Sequence, residues 1–115
     1  MKRLYIPLPE KAARKQLLGL LLQKSTHSIT EDEIDDLSER TSGYSGSDIK
    51  ALCAEAAMGP IRDIPMEDFE NINHAAVRPV QLQDFTDALS QVRASVGTAD
   101  LELYRQWNDH YGSMG

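Results

Sequence analysis

Gly43-Tyr44-Ser45-Gly46-Ser47-Asp48-Ile49, continuing into Lys50-Ala51-Leu52-Cys53-Ala54-Glu55-Ala56-Ala57-Met58-Gly59-Pro60-Ile61-Arg62, is the stretch whose reading decides the fold. It is a turn that launches a helix. Gly43 ends what precedes it, Ser45 is the N-cap, and Asp48 three residues on is an acidic variant of the capping box. Ile49, Leu52, Cys53, Ala56 and Ala57 follow at helical spacing and form one apolar stripe. Much of that stripe is small, so another backbone can come close. At the head of the helix stand Gly46 and Ser47, with almost no side chain, beside free N–H groups and the positive end of the dipole. Such an end can sit against a nucleotide without blocking it.

Working outward, the 115 residues suffice for one domain with a single modest core. The formal net charge of −6 opposes a sequence-independent grip on phosphate backbones, so nucleic acid is not an expected direct partner. The single cysteine, Cys53, has no internal partner, which suits a reducing, intracellular compartment, cytoplasmic or nuclear. On the helix stripe Cys53 reads as a core filler. No apolar run approaches ~20 residues, so no membrane span is expected, and Met1-Lys2-Arg3 does not open a secretory leader.

The expected fold class is all-α: a small four-helix bundle with an extra C-terminal helix and a short N-terminal strand or extended segment. Arg3-Leu4-Tyr5-Ile6 reads as the strand, ended by Pro7-Leu8-Pro9. A strand needs a sheet, and the rest of the chain offers none, so the sequence is expected to begin inside a larger fold. Residues 10–24 read as a helix that is apolar over more than half its circumference through Leu17, Leu18, Leu20, Leu21 and Leu22. Residues 24–29 read as a polar loop. Thr30 and Glu33 form a capping box for a helix reaching Thr41, with Ile34 and Leu37 inward. Pro60 tightens the chain after the central helix and Pro65 stops it. A single helical turn is expected at 66–71. Residues 81–95 read as the clearest amphipathic helix, with Leu82, Phe85, Leu89, Val92 and Val96 on its stripe, and Gln81 is a poor cap for it. Truncating Leu89 on that stripe is expected to cost about 2–5 kcal/mol. A last helix over 99–111 carries Leu101, Tyr104, Trp107 and Tyr111.

Catalytic signals are absent from this sequence. No glycine-rich loop ends in Gly-Lys-Ser/Thr. No apolar strand ends in the paired acids that hold magnesium. His27, His74 and His110 have no ligand spacing with Cys53 and read as surface residues. Ser45 and Ser47 lie near no histidine, so a hydrolytic triad is unsupported. The acids Glu31, Asp32, Glu33, Asp35 and Asp36 read as the ordinary response of a first turn to the helix dipole, not as a metal site. No catalytic and no metal-binding residue is expected.

The words of the opening stretch, Gly-Tyr-Ser-Gly-Ser-Asp-Ile and then Leu-Cys-x-Glu-Ala-x-Met-Gly-Pro-Ile-Arg, resemble the small helical lid subdomain of AAA ATPases, in the branch of fidgetin, fidgetin-like proteins, spastin and katanin. Residues 2–10 look like the last strand and crossover of the large AAA subdomain, just beyond the two arginine fingers of that family. Ala13-Arg14-Lys15-Gln16-Leu17-Leu18 looks like the first lid helix. Asp100-Leu101-Glu102-Leu103-Tyr104, with Trp107-Asn108 and Tyr111-Gly112, looks like the extra C-terminal helix of this branch. The likeness covers nearly the whole chain. It divides the chain into residues 1–9, the end of the large subdomain; 10–96, the lid; and 97–115, the C-terminal helix and tail. Gly97 departs from the pattern, standing where relatives often have a serine cap.

The resemblance implies a parent that is a hexameric, Mg·ATP-driven machine pulling on polypeptide, the tubulin tail in severing relatives. The partners implied are the large subdomain, neighbouring subunits and the polypeptide substrate. The lid alone is expected to be inactive and to hold no nucleotide tightly. Carried over by position, Gly46 and Ser47 would lie beside the nucleotide, and Leu17 and Leu21 would offer apolar contact to adenine. Many AAA+ relatives place a sensing arginine where this chain has Gly46-Ser47. Arg62 reads as the partner of a nearby acid, not as a substitute sensor. The competing reading is an independent helical module that takes a partner peptide in an apolar groove.

Overall fold

The structure, a computed structural model, describes residues 7–71 and 77–95. The strand expected at 3–6, the helix expected at 99–111, His74 and His110 lie outside the described residues. Among the described residues the elements are α1 (Lys11–Leu22), α2 (Glu31–Arg40), α3 (Gly46–Ala57), α4 (Gly59–Arg62), a 3₁₀ turn at Met66–Asn71 and α5 (Leu82–Gln91). No strand stands among them, and the only β pairing is an isolated parallel bridge between His27 and Val80. The all-α class read from the sequence is the one observed.

α3 lies at the centre, packed on α1 along one side and on α5 along the other, while α2 covers α1. Its stripe does what the spacing predicts: Ile49, Leu52 and Ala56 are buried, with Cys53 packed at the rim. Leu18 and Leu22 come in from α1, Ile34 and Leu37 from α2, and Phe85 and Ala88 from α5. Leu20 is the apolar residue of α1 that faces out, at 54% exposure. Burial of the Cys53 sulfur pushes its thiol up to about 11, so it is a neutral thiol at physiological pH and fills space.

Local capping rules set the starts of α2 and α3. Thr30 and Glu33 exchange side-chain and backbone hydrogen bonds at 3.2 and 2.9 Å, the capping box expected there. The acids of α2 are engaged at close range: Asp35 meets Lys11 and Lys15, and Asp36 meets Arg40. Between α2 and α3 the chain reverses through Gly43 at φ 88°, a left-handed conformation that a side chain would strain. α3 stops at Ala57 because Pro60 has no N–H to give the carbonyl four residues back. The single turn α4 then restarts with Pro60 buried.

α5 is shorter than its periodicity predicts. The stripe suits a helix to residue 95, yet Val92 turns extended, at φ −109° and ψ 107°. Two long-range interactions claim this segment: the Tyr44 hydroxyl donates to the Val92 carbonyl, and the Asp48 carboxylate accepts from the Ser95 N–H at 3.0 Å. His27 also differs from its expected surface role. It is half-buried, and its Nδ1 accepts from the Ile29 N–H at 3.0 Å, shaping the loop beside the Val80 bridge.

The start of α5 is secured without help from the Gln81 side chain. Asp84 accepts from the Gln81 N–H and from both terminal nitrogens of Arg78, all at 2.8 Å, and its side chain is only 5% exposed. Arg78 also reaches Asp63 at 2.8 Å. Gly59 makes room for this, because a Cβ there would lie 2.6 Å from the Asp84 carboxyl carbon. The Arg78 hydrogen bonds outweigh the cost of burial and hold the Asp84 carboxyl below its ordinary value of 3.8. A depressed folded value means that the stabilisation is complete above the ordinary value and is lost as pH falls through the lowered one. Asp84→Asn should therefore cost about 2–3 kcal/mol at pH 7, a buried-pair loss reduced by the partial exposure of Arg78. The deficit relative to wild type should shrink below pH 3.8, as wild type loses the same pair. Urea unfolding at pH 7 and pH 3 checks this, and an equal deficit at both would contradict it.

Candidate functional site

The head of α3 is the place where sequence and structure concentrate unusual chemistry. Ser45 Oγ accepts from the Asp48 N–H at 3.1 Å, and Asp48 accepts from the Ser45 N–H at 2.9 Å. The cap consumes the third N–H of the helix. The N–H groups of Gly46 and Ser47 point forward along the axis by helix geometry. Both residues are exposed.

α1 supplies the wall beside this end. A Cβ on Gly46 would lie 3.9 Å from Leu17 Cδ2, at ordinary van der Waals range, so the Leu17 side chain borders the space beside Gly46. Leu17 and Leu21, one turn apart, are half-buried and pack against the core from its rim. The structure thus sets Leu17 beside Gly46, places Ser47 next in line on the open end, and continues the apolar edge along α1 to Leu21.

The charge at this end is already balanced. Burial raises the Asp48 carboxyl, but hydrogen bonds from the Ser95 and Ser45 backbones and hydroxyls outweigh it and lower the value overall. A carboxylate therefore occupies the anion position that a helix dipole favours. The remaining surface, glycine, serine and leucine, suits an uncharged planar group better than a phosphate.

Arg62 pairs with Glu55, seven residues earlier, at 2.6 Å, as its sequence reading expects. Three contributors were not read as such from the sequence. Tyr44 is buried at 7% exposure with its hydroxyl on Val92, and Ser95 joins Asp48 from 47 residues away. Arg14 is buried at 6% exposure and donates to the Ser38 carbonyl at 3.0 and 2.7 Å, to Thr41 Oγ1 at 3.2 Å and to the Pro9 carbonyl at 2.9 Å. The available signal was polar residues at apolar registers; their partners are too distant in sequence for a spacing rule to name.

Residues 31–78 match the AAA+ lid domain family, and residues 55–112 match the Vps4 C terminal oligomerisation domain, half of the chain. The chain belongs to the AAA+ lid and Vps4-type C-terminal family. Within this family it is 47% identical to fidgetin-like protein 1 of Xenopus laevis over 97% of its length, covering 17% of that relative. It is 44% identical to spastin of Nematostella vectensis over 98% of its length, covering 19% of that protein. The chain thus spans under a fifth of the curated relatives that it matches. Among solved structures, the crystal structure of the FIGL-1 AAA domain in complex with ADP is similar at TM-score 0.85 and 44% identity, over 96% of this chain and 37% of that one. A structure described as the structural basis for katanin self-assembly is similar at TM-score 0.75 and 33% identity, over 94% of this chain and 40% of that one.

Proposed function

We propose that this AAA lid covers the adenine side of the nucleotide in a hexameric, Mg·ATP-driven ATPase of the fidgetin and spastin type. The observation that carries the reading is that Leu17 borders the space beside Gly46 at the open head of α3. Leu17 and Leu21 take the apolar face of the base, and Gly46 and Ser47 let its edge approach the helix start. The neutral character of this surface, with Asp48 already serving the dipole, fits adenine and leaves the phosphates to other parts of the parent. A similar AAA domain is described in complex with ADP, which supports a nucleotide beside such a lid. Among the described residues no group of three or more acids, histidines or cysteines converges on a metal position, and this reading takes no magnesium ligand from them.

In this reading residues 1–9 are the end of a large-subdomain strand and its crossover, 10–96 form the lid, and 97–115 form a C-terminal helix and tail. Subunit contacts involve the region that matches the oligomerisation domain, in keeping with the self-assembly described for a katanin relative. The parent works on polypeptide, the tubulin tail in a severing setting, inside the cytoplasm or nucleus.

Ser47→Arg tests the site. In an ATPase carrying this lid, the long cation crowds the base and opposes the helix dipole by up to ~1 kcal/mol. Adenine-nucleotide affinity should weaken about tenfold, with the melting temperature of the isolated lid within a few degrees of wild type. Unchanged nucleotide affinity, ATPase rate and assembly would count against the assignment of Gly46 and Ser47.

A further inference from the structure

The head of α3 is tied to the chain that leaves α5 at two points. Tyr44, on the approach to the helix, donates its hydroxyl to the Val92 carbonyl. Asp48, in the first turn, accepts from the Ser95 N–H at 3.0 Å and the Ser95 hydroxyl at 3.1 Å, using the same Oδ2 that caps Ser45. The two grips lie on either side of Gly46 and Ser47 in sequence and hold residues 92–95 out of helix, with Val92 extended, where helical periodicity would continue. Burial and the nearby Asp48 charge keep the Tyr44 phenol protonated and therefore a donor. Residues 92–95 fall inside the stretch matched to the oligomerisation domain, which continues to residue 112.

We infer that Tyr44 and Asp48 are positioning residues that couple the nucleotide-facing end of α3 to the oligomerisation region, so that nucleotide contact and subunit assembly strengthen or weaken each other. The inference rests on the reading of Gly46 and Ser47 as nucleotide-facing. The physical reason is that one carboxylate serves two segments. A shift of the α3 cap that accommodates a base moves Oδ2, and with it the hydrogen bonds that set the path of residues 92–95. Linkage requires the reverse effect to be equal: assembly that fixes residues 92–95 also fixes the cap.

The test compares wild type with Tyr44→Phe/Ser95→Ala in an ATPase carrying this lid. Both changes keep the packing and remove only hydroxyl donors. The concentration for half-assembly is measured with and without ADP, and the ratio of the two values is the coupling factor. Couplings of this kind commonly lie in the range of about 5–150-fold. The ratio in the double variant should fall clearly toward unity but not reach it, because the Ser95 N–H bond to Asp48 is kept, while its half-assembly concentration without nucleotide stays near wild type. A purely structural role would shift both concentrations together and leave their ratio as in wild type, and that result overturns the inference. Should the double variant fail to fold by circular dichroism, Ser95→Ala alone gives the same comparison with a partial fall in the ratio, and an unchanged ratio again overturns it. Ser47→Arg separates the two levels: weakened ADP binding with a wild-type ratio in the clamp variant defeats the coupling alone. Unchanged ADP binding in Ser47→Arg defeats the underlying site, and the coupling with it.

Discussion

Phe85→Ala should destabilise the chain by about 3–5 kcal/mol, the largest effect expected of any single apolar truncation here. Phe85 is 1% exposed and heads the fully buried side chains by volume. It enters the core from α5, the helix that packs along one side of α3. Removing the ring leaves a cavity between α5 and α3, and the close approach of α4 to α5 at Gly59 and Asp84 limits collapse around it. Leu89, one turn further, packs only against the rim of the core. Its truncation should cost about 1–2 kcal/mol, less than the stripe alone suggested. Urea unfolding of both variants separates the two positions. Equal costs would mean that the burial pattern of α5 is wrong.

Arg14→Met should cost about 2–4 kcal/mol although no carboxylate is lost. The Arg14 guanidinium is spread over three neutral acceptors: the Ser38 carbonyl, Thr41 Oγ1 and the Pro9 carbonyl. Its charge stands at the carbonyl end of α2, where a cation is favoured. Methionine matches the volume but donates nothing. The variant leaves the Ser38 carbonyl without its two close donors in a place where Ser38 itself is fully buried. Arg14→Lys should recover only part of the loss, because a point charge cannot serve acceptors that the planar fork reaches together. A melting temperature unmoved by Arg14→Met would show that these acceptors find other partners. Arg14 also fixes Pro9, so it sets the path along which residues before α1 join the lid.

The sequence made legible what local rules govern. Ser45 with Asp48, and Thr30 with Glu33, are read from a spacing of three residues, and both capping boxes are present. The α3 stripe, the break at Pro60 and the turn over Met66–Asn71 follow from periodicity and from the missing N–H of proline. The end of α5 was not legible, because Val92 satisfies the helical period while its carbonyl is taken by a tyrosine 48 residues earlier. The burial of Arg14 was not legible, since Ser38 and Thr41 lie 24 and 27 residues away and two of its three acceptors are backbone carbonyls. Gly59 read as part of a family word. Its physical reason, the close approach of Asp84, needed α5 in place. Of the candidate site, the exposed head of α3 could be read from composition, whereas the nearness of Leu17 to Gly46 depends on how α1 packs against α3.

Photolabelling with 8-azido-ATP, in an ATPase carrying this lid and under conditions of active turnover, tests the adenine-side assignment most directly. The reactive group sits on the base itself, so the label marks what the adenine touches. Peptide mapping should place label within α1, on the segment holding Leu17 and Leu21, and at the start of α3, around Gly46 and Ser47. Unlabelled ATP should abolish it. A protein that hydrolyses ATP and is labelled with good yield, yet carries no label on either segment, would contradict the assignment.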